Sequence, residues 1–373
     1  MVMRKFGPIP LYLISLLMAS CSTVSPKSGT IDKGVVRQPA PADTVTLVAV
    51  GDMMFGGSSE SIMEQQGYDY PFATTRHILT AADLTIGNLE TPLTAQGAPM
   101  TEKQFLFRNP PEKVGPALRR AGFDIVSLAN NHMLDYGTQG LQDTIQALQS
   151  YGIRPHGAGM NLAAARQPVI FELPQGLKAG FLSYSCTFPE EFWATEDKAG
   201  TAFCHEKNVR ADVARLTEQA VDIIVVSFHW GAERMKELRP YQPLLAHAAI
   251  DAGADLVIGH HPHILQGIEQ YRDGLILYSL GNFTFGSRTQ HARTSVVASI
   301  AFNGGKFSRL EMTPINVNNF EVDFQPRPLL HESAEAVYDE LAELSPLTRL
   351  DFRNGLIVFE PISSVQTETP VSH

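Results

Sequence analysis

The chain has 373 residues, 44% of them apolar, enough for one large α/β domain or two modest ones with a full core. It is acidic, with 39 Asp and Glu against 29 Lys and Arg and a net charge of −10. Nucleic acid is therefore not an expected partner, because phosphate backbones are held by clustered Lys and Arg.

Residues 1–20 read as a targeting segment. Arg4 and Lys5 supply the positive region, residues 11–18 the apolar core, and Ala19-Ser20-Cys21 the small-residue exit. An apolar run this short does not suit a membrane-spanning helix. Cys21 stands where a bacterial lipoprotein signal places its acylated cysteine, although Met18 replaces the usual Leu. Ser22 follows it, and by resemblance to Gram-negative lipoproteins the absence of Asp there favours the outer membrane. The expectation is a cell-envelope protein, lipid-anchored at Cys21 and facing the periplasm, with residues 21–44 as a flexible tether. Ordinary cleavage or an uncleaved anchor is the alternative.

From residue 45 strands alternate with helices. Apolar runs at 45–50, 84–86, 125–128, 223–228 and 256–258 read as buried strands. Helices are expected over 111–121, with an early Pro and Gly122 after the end, and over 138–150, where Leu141, Ile145 and Leu148 repeat at helical spacing. Further helices are expected at 208–221 and 243–252, and a hairpin at 169–173 and 178–183. This alternation argues for an α/β fold with helices covering the sheet. After residue 264 strands at 267–270, 275–279, 295–302 and 306–314 form an antiparallel series, read as a second sheet stacked on the first. Residues 45–330 are expected to form one domain, followed over 331–373 by a helix at 332–344 and a polar tail. Besides Cys21 there are two cysteines, Cys186 and Cys204; in an exported chain an even remainder suggests a disulfide, two separate thiols being the alternative.

Five polar clusters each follow an apolar run: Gly51-Asp52, Asn88-Leu89-Glu90, Asn130-Asn131-His132, His229-Trp230-Gly231, and Gly259-His260-His261-Pro262-His263. In an open α/β sheet the groups past the carboxyl ends of strands converge on one crevice. Imidazoles are the commonest nitrogen ligands of divalent transition metals, and buried carboxylates require a counter-charge. Asp52, Glu90, Asn131, His229, His261 and His263 therefore form a candidate set for one or two divalent ions, Mn, Zn or Mg. A core histidine satisfied by hydrogen bonds is the plainer reading of His229 alone. His132 is a candidate general acid that Asp135 could orient; Asp135 could instead cap the following helix. Lys103 and Arg108 could receive an anionic substrate, or could lie on a solvated edge strand. Asn282 could reach the site or serve as a turn residue. Trp230 and Glu233 could line the cleft or support His229.

The order of these clusters resembles the calcineurin-like metallophosphoesterase superfamily. More narrowly it is similar to the CapA-type proteins of poly-γ-glutamate capsule biosynthesis. Ala49-Val50-Gly51-Asp52, Gly87-Asn88-Leu89-Glu90 and Leu128-Ala129-Asn130-Asn131-His132 carry the first half of the likeness. His229-Trp230-Gly231-Ala232-Glu233, residues 259–263 and Ser279-Leu280-Gly281-Asn282-Phe283 carry the second. The resemblance implies a four-layer αββα sandwich, with Asp52 and His263 on one metal, Asn131, His229 and His261 on the other, and Glu90 between them. His132 would be the acid beside the scissile bond. The superfamily's Asp-x-His motif is altered, for Met54 stands in place of the histidine.

Two functional expectations follow. One is a metal-dependent hydrolase acting on an anionic polymer or phosphoester outside the cytoplasm, including wall polymers as substrates. The other, motivated by Met54, is a non-catalytic factor for polymer assembly or export, working beside a polymer synthase or export proteins.

Overall fold

The first apolar run becomes a strand, Thr44–Met54, in which nearly every residue is buried. Val45, Leu47 and Ala49 face one hydrophobic cluster, while Val48 and Val50 face another. A strand covered on both sides reads as a continuous apolar run because alternate side chains enter different cores. The structure, a computed structural model, describes residues 44–361 apart from Glu102, Pro174 and Gln175. The expected signal segment, Cys21, the tether up to residue 43 and the polar tail lie outside the described residues.

Strands β1 (Thr44–Met54), β2 (Leu84–Leu89), β3 (Ile125–Ser127) and β4 (Arg154–His156) run parallel in a first sheet. A short strand β5 (Ala158–Gly159) follows, then the hairpin β6 (Val169–Glu172) and β7 (Lys178–Ser185), and β8 (Gly200–Thr201), which pairs with β5. With β9 (Ile223–His229), β10 (Leu256–His260), β11 (Ile268–Tyr271) and β12 (Gly274–Leu277), the hairpin builds a second sheet in the order β11-β12-β10-β9-β7-β6. The chain then returns to the first sheet through β13 (Asn282–Phe285), β14 (Thr294–Asn303), β15 (Lys306–Asn316), β16 (Arg327–Pro328), β17 (Asp351–Arg353) and β18 (Leu356–Phe359). The first sheet's order is β17-β18-β15-β14-β1-β2-β3-β4, with β13 beside β1 and β16 beside β15.

The strands after 264 were expected in one added sheet; instead they divide between the two. β12 lies parallel to β10, and β11 closes that edge antiparallel to it. β13 crosses to the first sheet and runs parallel to β1, after which β14 covers β1 antiparallel. Each sheet had a strand edge whose backbone groups needed partners, and the returning chain supplies both.

The helices are α1 (Glu60–Gln66), α2 (Arg76–Leu79), α3 (Pro111–Ala121), α4 (Gly137–Ser150), α5 (Leu162–Ala165), α6 (Glu206–Glu218), α7 (Tyr241–Asp251) and α8 (Glu332–Leu344). Val114 and Leu118 of α3 and Leu141 and Leu148 of α4 pack on the outer face of the first sheet. Val209, Val213 and Leu216 of α6 and Leu245 and Ala249 of α7 pack on the outer face of the second. Between the sheets, Leu47 and Ile86 share a cluster with Phe181, Val225 and Ile258. These three cores define four layers, helix-sheet-sheet-helix, as expected. Each fully buried Leu, Ile, Val or Phe contributes about 1.5–3 kcal/mol.

The segment after residue 330 belongs to the same sandwich. Val337 and Leu341 of α8 enter the core between the sheets, and β18 pairs with β15. The β17–β18 hairpin turns on Asn354 (φ 54°) and Gly355 (φ 80°), the two left-handed positions of the tight hairpin turn. Cys186 and Cys204 form a disulfide with Cα atoms 5.2 Å apart. In the loop-entropy picture a closure of this length contributes about 3 kcal/mol. Among the described residues no helix is long and apolar enough to cross a membrane.

Candidate metal centre

Because β1, β2 and β3 run parallel, their carboxyl ends lie at one edge of the first sheet; β9 and β10 do the same in the second. The site straddles these two edges. Asp52 near the end of β1, Glu90 just after β2 and Asn131 after β3 come from one side. His229 ends β9, and His261 and His263 follow β10 from the other. The register of β1 shifts around Asp52, an irregularity of the kind that re-aims a side chain.

Two glycines permit this convergence. A Cβ on Gly51 would lie 1.8 Å from the Gly281 carbonyl oxygen, and one on Gly259 would lie 1.9 Å from that of Tyr278. The ligand loop after Gly259 departs from a strand. His261 has φ 94° and His263 has φ 60°, both left-handed and costly for residues with a side chain. That twist brings both rings inward, with centroids 5.9 Å apart, and sets His261 4.6 Å from His229.

Ligand atoms meet in three overlapping groups among the described residues: Glu90, His229 and His261; Asp52, Glu90 and His263; and Glu233, His261 and His263. Within each, one donor atom per residue lies within 4.8 Å of the others. His229 Nε2 lies 2.8 Å from Asn131 Oδ1 and 3.5 Å from Glu90 Oε1. His263 Nδ1 lies 3.1 Å from Asp52 Oδ2 and 3.0 Å from Asn282 Oδ1, which places Asn282 at the cluster. All six residues expected as ligands are therefore brought together.

Glu90 provides the test of fit for a cation. It is wholly buried, and neither carboxylate oxygen has a hydrogen-bond partner; His261 Nδ1 is likewise without one. Burial pushes the Glu90 carboxyl well above its ordinary value, and the neighbouring Asp52 adds to this. Burial also holds His229 well below the usual histidine range and His261 down at about 3, which favours the neutral form of both rings. Burial opposes charge on His263 too, but Glu90 and Asp52 outweigh it and raise the ring to about 9. Asp52 feels the same burial, yet the close His260 and His263 rings keep it low. A buried carboxylate without partners beside neutral imidazoles is the donor set a divalent ion satisfies.

Three residues without an assigned role organise this set. Asn88 Nδ2 donates to Asp52 Oδ1 at 2.8 Å and lies 3.3 Å from His229 Nδ1. Asn130 holds Asn88 in turn and accepts the His132 backbone N–H. His260 Nδ1 approaches Asp52 Oδ1 at 3.3 Å. Their signal was in the sequence, since each sits within two residues of a ligand at a strand end.

His132 borders the cluster, with its Nδ1 2.8 Å from Asp135 Oδ2. Asp135 orients His132 rather than capping α4: its carboxylate also accepts the Phe107 N–H at 2.8 Å and Lys103 Nζ at 2.6 Å. Lys103 further reaches the Asn131 carbonyl, so its ammonium is spent inside the His132–Asp135 assembly and is not turned to open solvent. Burial lowers the Lys103 ammonium, against the pull of Asp135. Burial likewise lowers His132, again opposed by Asp135. Phe107 packs on the His132 ring at 4.7 Å. Arg108 lies over the Tyr136 ring at 4.6 Å and lines a different cleft with Glu60 and Glu64, so it is not brought to the cluster.

Trp230 is wholly buried, stacked on Phe228 and donating to the Tyr278 carbonyl, and so does not line the cleft. Met54 is also buried, its sulfur accepting the Gly56 N–H at 3.2 Å. A cavity of about 140 Å³ opens over the cluster between His132, His263, Glu233, Arg234, Phe105 and Phe285. A larger cleft of about 660 Å³ beside α4 and α5 contains none of the ligands.

Fold and site together define a four-layer α/β sandwich with a candidate metal centre at its strand ends. The chain belongs to the bacterial capsule synthesis protein family PGA_cap, whose family model matches residues 46–287. It is 30% identical over 292 residues to the capsule biosynthesis protein CapA of Bacillus anthracis, covering 77% of this chain and 70% of that one. It is 32% identical to the PGA biosynthesis protein CapA of Bacillus subtilis, covering 78% and 75%. Among solved structures, the NAD nucleotidase of Haemophilus influenzae shows a TM-score of 0.44 at 10% identity, over 80% of this chain and 62% of that one.

Proposed function

We propose that this protein is a metal-dependent hydrolase of the cell envelope that acts on an anionic polymer, of the poly-γ-glutamate kind, during capsule synthesis. The observation that carries the reading is the wholly buried, unpartnered Glu90 carboxylate amid Asp52, Asn131, His229, His261 and His263, with an oriented His132 beside it. Asp52, Glu90 and His263 would hold one ion, and Glu90, Asn131, His229 and His261 a second. When bound, a divalent ion supplies a Lewis acid that neutralises anionic groups and acidifies water. Asp135 engages Nδ1 of His132 and favours the protonated ring against burial, and that imidazolium would carry on Nε2 the second proton that a leaving group in the cavity takes. The relatives' names in capsule and PGA biosynthesis support the polymer as substrate class. The N-terminal sequence supports export and a lipid anchor at Cys21.

Met54 favours a second reading, a scaffold that retains metal and serves polymer assembly without turnover. One experiment separates them. Purified protein is stripped, reloaded with Mn²⁺, Zn²⁺ or Mg²⁺, and offered poly-γ-glutamate and model phosphoesters. In parallel His132→Ala is tested for capsule production in a strain lacking the gene. Turnover that falls at least about 100-fold in His132→Ala, as expected on losing a general acid, supports the hydrolase. No turnover with any metal and a fully encapsulated His132→Ala strain would replace it with the scaffold.

A further inference from the structure

We propose that Glu233 is a metal ligand, closing the centre from the solvent side in place of the imidazole lost at Met54. The inference rests on the reading of the cluster as a metal centre. The Glu233 carboxylate meets His261 and His263 donor atoms within 4.8 Å, and each of those histidines also belongs to a group containing Glu90. The two carboxylates therefore flank the histidine pair, Glu90 wholly buried and Glu233 exposed.

The backbone shows how Glu233 is held there. Trp230 is fixed in the core by its bond to Tyr278, and Gly231 turns at φ 81° with its N–H on the Tyr241 hydroxyl at 2.8 Å. Arg234 then adopts φ 62° and donates its N–H to the Pro262 carbonyl at 2.8 Å. Pro262 lies between the two ligand histidines. The loop after β9 is thus tied to the ligand loop after β10 at the residue next to Glu233. Among the described residues the Glu233 carboxylate makes no hydrogen bond or close ion pair, and what it faces is the His261–His263 pair, with the His263 ring as its charge neighbour.

Two further observations point to a ligand. The buried oxygens of Glu90 and Nδ1 of His261 face the centre without partners. Met54 offers no compensating donor, because its sulfur is turned to the Gly56 N–H. A carboxylate reaching in from solvent restores a donor, and one that an incoming anionic group could displace.

The test is metal binding by the full chain, read without activity. Metal-free wild type, Glu233→Gln, Glu237→Gln and Glu90→Gln are titrated with Mn²⁺ and with Zn²⁺ by calorimetry, and bound metal is counted after desalting. Glu233→Gln should lose one ion on desalting or weaken one binding step by at least about tenfold, while the exposed neighbour variant Glu237→Gln matches wild type. The Mn²⁺ electron paramagnetic resonance spectrum should change in Glu233→Gln alone of these two. Unchanged stoichiometry, affinity and spectrum in Glu233→Gln, with a wild type that binds metal, overturns the assignment but leaves the metal centre standing. A wild type that binds neither ion overturns both.

Discussion

Lys103 Nζ stands 2.6 Å from Asp135 Oδ1, on a fully buried carboxylate whose other oxygen lies 2.8 Å from His132 Nδ1. The ammonium neutralises Asp135 from one side while the imidazole is aligned from the other. Removing one member of such a pair leaves an uncompensated charge. Lys103→Met should therefore cost about 3 kcal/mol of unfolding free energy. Asp135→Asn in the same chain should return part of that loss, because the two side chains share one interaction. Urea denaturation of the two single variants and the double variant checks this. A Lys103→Met loss below about 0.5 kcal/mol would show that the ammonium is not what holds Asp135.

Glu90 makes the metal centre visible in stability as well as in chemistry. Its carboxylate is buried without a partner, so the metal-free protein carries a cost that a bound cation removes. A divalent ion at about 100 times its dissociation constant should stabilise the fold by about 2.7 kcal/mol, or roughly 4 °C in melting temperature for a domain of this size. Glu90→Gln replaces the ionisable group with a neutral one of the same shape. Its metal-free form should melt above metal-free wild type, and its rise on adding Mn²⁺ or Zn²⁺ should be at most half as large. Differential scanning calorimetry with and without chelator reads both shifts. Equal metal-induced shifts in the two proteins would place the ion elsewhere.

Much of this architecture was legible because its strands are buried on both faces and its ligands sit where those strands stop. The run at 45–50 could be read as a strand from composition alone, and Asp52 followed it. The helix at 111–121 carried its own boundaries in Pro111 and Gly122. What sequence could not show was relation in space. Lys103 and Asp135 are 32 residues apart, and nothing local says that their charges meet. The left-handed conformations of His261 and His263 occur in a loop held by distant partners, Asp52 Oδ2 on the His261 N–H and the Arg234 N–H on the Pro262 carbonyl, so their strain is a tertiary property. The placing of β13 beside β1 was equally hidden, since an antiparallel series can extend either sheet. The β17–β18 hairpin was different: its Asn354-Gly355 pair is a strong local turn signal ahead of the apolar run 356–359.

Asp255 offers a pH-dependent test of the second sheet, at the opposite end of β10 from the ligand histidines. Its carboxylate accepts the Ile224 N–H at 2.8 Å, while its backbone joins Ile224 and Leu275, so it ties β9, β10 and β12 at their entry. Burial raises its carboxyl to about 6, and the Ile224 hydrogen bond only partly offsets this. An acid raised by folding binds its proton more tightly in the native state. Below its unfolded value the two states are protonated alike and nothing is lost. As the pH rises from about 4 to about 6 the unfolded chain ionises first, and native stability falls; above that the cost is constant at roughly 2–3 kcal/mol. Asp255→Asn keeps an acceptor for the Ile224 N–H and removes the ionisation. It should therefore gain on wild type by about 2 kcal/mol between pH 4 and pH 8, nearly all of the difference between them appearing over that range. Unfolding free energies measured at intervals across that range decide the matter. A gain that is independent of pH would mean that shape or hydrogen bonding, and not the buried charge, governs this position.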